Sequence, residues 1–383
     1  MVTGLDSKRI YNKRVLLRVD LNLPMLNGEI LSMARWKNVL PTIKTILAFK
    51  PSKLVIVSHL GQPKGFDDAF SLSHIHKKII KDVPGLALIA SIKEMDQEGI
   101  LFLLENVRFD AREKIADETL VDEYLSNIDT VVFDAFSVGH RNHASVCGII
   151  THAKSYVFGS LFMQEMHAIN IALEKSGKRV AILSGAKIAT KLPILNKMLN
   201  WADHVLVGGG IANTLLQAQG IQMKKSLIDF GALHEAESLL GFRDKLVLPV
   251  DGINQQGKQV DFNQNDMHEN DAILDIGPKT CALYANFIDL ADTIIWNGPM
   301  GYYEDPSFQK GTQAVALAIA ESSAYTLVGG GDSVAAIEDL NIGQGFDYVS
   351  TSGGAFLHYI ANGTLPVLDA TQLNKHQTLE VIE

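Results

Sequence analysis

The residues of this chain whose types and spacing could do chemistry fall into two sets, divided near residue 150. Gly208-Gly209-Gly210, Gly329-Gly330-Gly331 and Gly353-Gly354 each follow a short apolar run in the second half. Arg35, His59, Arg108, His140, Arg141 and His143 all lie in the first. A glycine turn between strand and helix brings backbone N–H groups and the positive helix end up to a phosphate with no Cβ in the way. Val328-Gly329-Gly330-Gly331-Asp332-Ser333 has that form. One such turn can serve packing alone. Three in one half, with Trp296-Asn297-Gly298-Pro299-Met300-Gly301 beside them, point to a nucleotide. Arginine's planar fork suits bidentate recognition of phosphate and carboxylate, so several arginines converging on one point would make a small-anion site. Any one alone is a surface salt bridge. The layout predicts two half-sites facing across a cleft, one for a nucleotide and one for a small anion.

Neither a GxxxxGK[ST] loop nor a GxGxxG fingerprint occurs, which argues against the common NTPases and the dinucleotide-binding dehydrogenases. Asp332, directly after the glycines, is placed to carry Mg²⁺ through an oxygen ligand or to cap the following helix. Glu304 could accept ribose hydroxyls or be an ordinary surface carboxylate. Ser184-Gly185-Ala186-Lys187-Ile188-Ala189-Thr190-Lys191 puts two lysines four apart on what reads as the first turn of a helix. Like charges at that spacing repel and oppose the helix dipole, so an anion that compensates them is expected. His140, Arg141 and His143 lack the further ligand spacing of a zinc site.

These residues need elements to hold them. β-branched runs recur, each followed by a helical pattern: Val15 to Val19, Leu54 to Val57, Thr130 to Phe133, Val180 to Leu183, Val205 to Val207, Thr293 to Trp296 and Thr326 to Val328. Runs alternating with helices imply parallel sheets and a doubly wound α/β architecture, in which ligands sit beyond the carboxyl ends of the strands. Asp20, Asn22, His59, the stretch Asp134 to Arg141, and Lys187 all fall at that place. A helix is expected from about Phe158 to Ser176, ended by Gly177.

A length of 383 residues favours two domains. The expected division is an anion-binding domain over 1–157, a connecting helix over 158–176, a nucleotide-binding domain over 177–360 and a C-terminal segment over 361–383. The net charge of −9 argues against a general nucleic-acid binder. No stretch reaches a membrane-spanning length, and Met1 to Lys8 lacks the apolar core of a secretory signal, so a cytoplasmic protein is expected. Cys147 and Cys281 form no ligand spacing and read as reduced thiols. Asn362-Gly363-Thr364 matches a glycosylation sequon that a cytoplasmic chain would not present.

With these residues in hand, the chain resembles the phosphoglycerate kinases along essentially its whole length. The stretches that carry the resemblance are Arg18 to Pro24, Ser58 to Gly65, Glu105 to Phe109, Asp134-Ala135-Phe136 with His140-Arg141, Gly185-Ala186-Lys187, Leu274 to Lys279, Trp296 to Gly301 and Gly329 to Ser333. The resemblance implies two doubly wound parallel-sheet lobes joined by a hinge helix, in a monomer whose C-terminal segment packs back on the N-terminal domain. It implies reversible exchange of Mg-ATP and 3-phosphoglycerate with Mg-ADP and 1,3-bisphosphoglycerate. Carried over by motif, Asp20, Leu21, Asn22, Arg35, His59, Leu60, Gly61, Gln62, Arg108 and Arg141 would bind the phosphoglycerate. Gly185, Ala186, Lys187, Lys191, Gly210, Asn297, Glu304, Gly330, Gly331, Asp332 and Ser333 would bind the nucleotide, with Asp332 on its Mg²⁺. Lys187 and Arg35 would stabilise the transferring phosphoryl group.

Four positions depart from the family pattern. Gln62 stands where an arginine is usual, Thr190 where an aspartate is common, and Ser137 and Ser352 where glycines are expected. The first two changes remove a pair of charges, and closure of the lobes is expected to rely less on that pair here. Competing readings are a catalytically weak relative serving as a nucleotide-binding scaffold, and a two-lobed kinase for another small phosphorylated acid.

Overall fold

The computed structural model describes residues 2–26, 29–262 and 267–374. It divides into two compact units, Met1–Met166 with Thr364–Glu383, and His167–Gly363. The division falls inside the helix Ser160–Glu174.

The first unit contains β1 (Arg14–Val19), β2 (Met25–Leu26), β3 (Glu29–Ile30), β4 (Lys53–Val57), β5 (Ala87–Ile89), β6 (Leu101–Leu104), β7 (Thr130–Asp134) and β8 (Tyr156–Phe158). Its helices are α1 (Ala34–Ala48), α2 (Ser73–Ile79), α3 (Glu118–Leu125) and α4 (Ile149–His152), and α5 (Ser160–Glu174) leads out of it. Six strands form a parallel sheet in the order β5-β6-β4-β1-β7-β8. Val15, Leu16, Leu17, Val55, Ile56, Val131 and Val132 are all fully buried. That is why these strands read as continuous apolar runs: a parallel sheet is covered on both faces.

The second unit contains β9 (Arg179–Ser184), β10 (His204–Gly208), β11 (Leu246–Val247), β12 (Asp251–Asn254), β13 (Gln259–Asp261), β14 (Ile273–Ile276), β15 (Thr293–Asn297), β16 (Tyr325–Gly329) and β17 (Tyr348–Ser350). Its helices are α6 (Leu192–Trp201), α7 (Gly209–Ala218), α8 (Leu233–Leu239), α9 (Pro278–Asp289), α10 (Lys310–Glu321), α11 (Gly331–Asp339) and α12 (Gly353–Asn362). A second parallel sheet runs β11-β10-β9-β15-β16-β17, beside a small antiparallel sheet β13-β12-β14. Chain order reverses on either side of β1 and of β9, the switch points at which open α/β sheets bind ligands.

All seven runs read from the sequence are strands. The helix expected from Phe158 begins later because Phe158 ends β8, paired with Phe133. Gly159 then lies against Asp134, where an added Cβ would come within 2.2 Å of the Asp134 side chain. Asp134 Oδ1 accepts the Phe162 N–H at 2.8 Å, so a buried carboxylate from β7 caps the first turn of α5. Of the segment 361–383, α13 (Pro366–Gln372) belongs to the first unit, and residues 375–383 lie outside the described residues. Val367 N donates to Gly139 O at 3.1 Å, and Asn374 Nδ2 donates to Ile150 O and Ala153 O.

Candidate functional site

Beyond the carboxyl ends of β1, β4, β6 and β7, the first unit gathers most of its predicted anion-site residues. Asp20 Oδ1 accepts the Asn22 N–H at 2.9 Å, and Oδ2 accepts the Ser137 hydroxyl at 2.5 Å. Arg35, on the first turn of α1, reaches Asp20 Oδ2 at 3.2 Å and donates to Asn22 O at 2.6 Å. Asn22 Oδ1 in turn accepts the Gly61 N–H at 2.8 Å. Gly61 has a φ of +60°, the left-handed region that suits a residue without Cβ, and its carbonyl accepts from Arg108 Nη1 at 2.5 Å. The loop after β4 is therefore pinned at Gly61 from two sides before any ligand arrives. Leu21 and Leu60 bury their side chains and their amides are bonded to Ser58 Oγ and Asn106 Oδ1, so only their backbone lines the site. The Gln62 side chain is exposed.

The charges in this cluster are not balanced. Burial and the neighbouring Arg141 and Arg18 push the Arg108 guanidinium down to about 10, against the pull of Glu113 and Asp20. Arg141 Nε is buried without a protein acceptor among the described residues. Cations crowded this way, one with an unmet donor, are stabilised by a multiply charged anion with oxygen acceptors. Burial works against ionisation of Asp20, while Arg35 and hydrogen bonds from Ser137 and the Asn22 amide favour its ionised form.

His143 records the same field. Burial, then Arg108, Arg141, Arg18 and Lys114, push its imidazole from 6.5 down to about 4, although Glu113 Oε1 lies 3.9 Å from Nδ1. Below 6.5 the unfolded chain takes up a proton that folded His143 refuses until about pH 4. The stabilisation is thus complete above 6.5 and lost as pH falls toward 4. Between about pH 7 and pH 4.5, His143→Gln is expected to lose less stability than the parent by roughly 1–2 kcal/mol in urea unfolding. Equal losses in both proteins would refute this account of His143.

In the second unit the candidate residues lie at the ends of β9, β10, β15 and β16. Lys187 and Lys191 were expected on the first turn of a helix; instead α6 starts at Leu192, after a 3₁₀ turn over Ala189–Lys191. The reason is that Lys191 folds inward. Its Nζ donates to Ser184 O and, at 2.5 Å, to Asn297 Oδ1, and burial pushes it down to about 8 against the pull of Asp332. Lys187 is exposed. Burial has parted the pair: one ammonium braces the loops and the other faces outward.

The three glycine turns also differ. At α7, Gly209 N donates to Met300 O and Ile211 N to Gly185 O, so protein carbonyls take two of the N–H groups a phosphate would use. Gly210 lies against the loop after β9, where an added Cβ would come within 2.1 Å of Ala186 O. At α11 the cap is Gly330, with φ of +114°, and a Cβ added at Gly331 would meet nothing within 4 Å. Gly331 and Asp332, which open α11, are both exposed, and their N–H groups have no protein acceptor among the described residues. Ser333 is buried and its Oγ accepts the Gly298 N–H at 2.8 Å, while Asn297 Nδ2 donates to Gly329 O. These bonds tie the turns after β15 and β16 into one cradle. Asp332 is exposed in the first turn of α11 and is not its cap. Glu304 is exposed in the turn following Trp296 to Gly301. Ser352 stands at the N-cap position of α12 without a side-chain capping bond and is buried. Thr190 Oγ1 donates to Lys187 O at 2.9 Å.

Sequence reading missed the residues that support these. Asn106 Nδ2 donates to Leu60 O and Phe70 O and its Oδ1 accepts from Leu60 N, holding the His59–Gly61 loop. Its signal was a short amide side chain two residues after an apolar strand. Glu113 and Ser145, both buried beneath the arginines, gave no signal: Ala111-Arg112-Glu113-Lys114 looks like a solvated charge run.

Comparison with known proteins gives a consistent outcome. The family model described as Phosphoglycerate kinase matches residues 5–363. A curated relative from Baumannia cicadellinicola, named phosphoglycerate kinase, is 38% identical over 384 residues, covering 96% of this chain and 97% of that one. One from Coxiella burnetii is 38% identical over 390 residues, covering 95% and 97%. Among solved structures, phosphoglycerate kinase from Coxiella burnetii superposes with a TM-score of 0.88 at 36% identity, covering 97% of this chain and 99% of that one. The enzyme from Pyrococcus horikoshii gives 0.85 at 32% identity with the same coverage.

Proposed function

We infer that this chain, which belongs to the phosphoglycerate kinase family, catalyses reversible phosphoryl transfer between 1,3-bisphosphoglycerate and ADP, giving 3-phosphoglycerate and ATP. It is a phosphotransferase with a carboxyl group as acceptor. The observation that carries the site-level reading is the crowding of cationic charge around Arg108 and Arg141 in one unit, with an exposed lysine and an exposed helix N-terminus in the other. The named relatives are phosphoglycerate kinases, which leaves the scaffold reading without support.

No catalytic base is needed. The attacking oxygen is already ionised in both directions, on the β-phosphate of ADP or on the carboxylate of 3-phosphoglycerate, so catalysis reduces to positioning and charge stabilisation. Arg35, His59, Arg108 and Arg141 would hold the phosphoglycerate. The α11 N-terminus would hold nucleotide phosphates, and Lys187 and Arg35 would meet the charge on the transferring group. In-line transfer requires the two half-sites to be brought together during the cycle.

Magnesium fits what the second unit offers. Phosphate-bound Mg²⁺ keeps waters and takes only one or two carboxylates, and Asp332 presents one exposed carboxylate in the first turn of α11. When bound, the ion neutralises phosphate charge. Both cysteines are free thiols that burial pushes up to about 12, which suits a cytoplasmic enzyme, and we read it as a monomer. Among the described residues no helix is long and apolar enough to cross a membrane.

Ser137 is a departure with a consequence. Its hydroxyl donates to Asp20 Oδ2 at 2.5 Å and helps keep that carboxylate ionised. Ser137→Ala removes one donor, so the acidic limb of the kcat/KM profile for 3-phosphoglycerate is expected to move to higher pH with kcat on the plateau unchanged. A limb that stays in place would show that Arg35 and the Asn22 amide suffice.

The direct test of function is ADP formation from Mg-ATP with and without 3-phosphoglycerate. Turnover that depends on 3-phosphoglycerate supports the reading. Nucleotide binding without turnover, or turnover with a different phosphorylated acid only, overturns it.

A further inference from the structure

Beneath the anion site runs a chain of buried polar side chains, none more than 3% exposed. Arg18, in β1, is 1% exposed, Glu113 1%, Ser145 0% and His59 3%. Glu113 Oε2 accepts the Ser145 N–H at 3.0 Å and Oε1 accepts the Ser145 hydroxyl at 2.6 Å. Burial pushes the Glu113 carboxyl above its usual range, against the pull of Ser145 and Arg18, and both of its oxygens act as acceptors. Having given its proton to Glu113, the Ser145 oxygen accepts from Arg18 Nε at 3.0 Å. Arg18 Nη1 donates to Val19 O and to Val57 O. Its remaining nitrogen, Nη2, lies 3.3 Å from His59 Nδ1.

That last contact admits one polarity. A guanidinium has donors and no acceptor and is not deprotonated in proteins, so Nδ1 must be the acceptor and cannot carry hydrogen. The ring proton then belongs on Nε2. We propose that Arg18, held by Ser145 and Glu113, fixes His59 as the neutral Nε2–H tautomer, so that His59 meets the substrate as an uncharged hydrogen-bond donor. Arg18 and Glu113 are positioning residues in this scheme, since neither reaches the substrate. Arg18 and Glu113, bridged by Ser145 where solvent cannot reorient them, set the direction of one hydrogen bond.

The groups facing His59 agree with this. Arg18 from β1, Arg108 from beyond β6 and Arg141 from beyond β7 all oppose a charged imidazole, and burial opposes it more; Asp20, after β1, favours it. The balance lies well below the ordinary histidine range. A phosphorylated acid could then bind without protonating His59. Its negative charge would be met by the arginines, and the imidazole would supply direction.

The inference rests on the reading that places His59 in the phosphoglycerate site, and one experiment separates the two. Long-range ¹H–¹⁵N correlation spectra of the full-length enzyme with ¹⁵N-labelled histidine report tautomer and charge ring by ring, and His59→Gln identifies the His59 signals. The expected result is a pyridine-type Nδ1 and a protonated pyrrole-type Nε2 that do not titrate across the range in which free histidine does. An Nδ1–H tautomer, or an imidazolium in that range, overturns the proposal. Addition of 3-phosphoglycerate tests the site reading independently: if His59 lies in the site its signals shift, whichever tautomer is found. Ser145→Ala, which releases Arg18 without leaving Glu113 wholly unpaired, is expected to give mixed tautomers and raise KM for 3-phosphoglycerate about tenfold, with a smaller change in kcat. Arg18→Met should let His59 titrate. A Ser145→Ala spectrum identical to the parent's would show that the relay does not set the tautomer.

Discussion

Replacing Lys187 with alanine is expected to lower kcat by about 10³ while leaving the KM for 3-phosphoglycerate nearly unchanged. The argument turns on what separates Lys187 from Lys191. Lys191 is bonded to Ser184 O and Asn297 Oδ1, its charge already committed to holding the loops after β9 and β15 together. Lys187 is exposed on the same loop. A cation that meets charge only on the transferring group lowers the barrier without affecting ground-state binding of the acceptor, and such cations account for three or more orders of magnitude in phosphoryl transfer. Lys187→Ala should therefore melt at the parent temperature. Lys191→Ala should melt lower and weaken nucleotide binding, because it leaves a buried carbonyl and an amide oxygen without their donor. Steady-state kinetics with thermal unfolding of both variants separate the roles. A Lys187→Ala enzyme within tenfold of the parent kcat would assign the phosphoryl group to another cation.

Much of this arrangement could be read in the sequence, and the parts that could not share a physical cause. The first parallel sheet was legible at β1, β4 and β7 because strands covered on both faces become largely apolar runs with several β-branched residues. β6, Leu101-Phe102-Leu103-Leu104, has the same burial but no β-branched residue, and four leucine-like positions do not distinguish strand from helix. The antiparallel strands β12 to β14 were not read because β12 and β14 carry Asp251, Gly252, Asn254 and Asp275 at buried positions and β13 has only three residues. The residues placed in the anion site from their motifs lie together at the sheet's carboxyl edge. What holds them there was not readable, because Glu113 and Arg112 look alike in sequence. In the structure Arg112 is a surface residue paired with Asp110 and Glu123, whereas Glu113 is buried close to Arg18 and Arg108. Local sequence gives the type of a charge but not its depth, and the chemistry of His59 depends on depth.

The cradle of the second unit is predicted to fail through one glycine. Gly298 follows β15 with a φ of +97°, and a Cβ added there would stand 2.2 Å from Ser184 O and 3.3 Å from Lys191 Nζ. The conformation alone costs a non-glycine residue roughly 1–3 kcal/mol. The overlap is worse, because it falls on a backbone carbonyl that cannot withdraw without breaking its bond to Lys191. Gly298 N also donates to Ser333 Oγ, and its carbonyl accepts from Trp296 Nε1 at 2.8 Å, so a shift of the turn disturbs α11 and the buried indole together. Gly298→Ala is expected to destabilise the protein by about 4 kcal/mol and to raise the KM for ATP by more than about tenfold. The KM for 3-phosphoglycerate, set by residues of the first unit, should change far less. Urea unfolding with the two KM values makes the test: an alanine variant as stable as the parent would mean that the turn has room to relax, and an equal rise in both KM values would mean that the damage is global and that the two half-sites are not built independently.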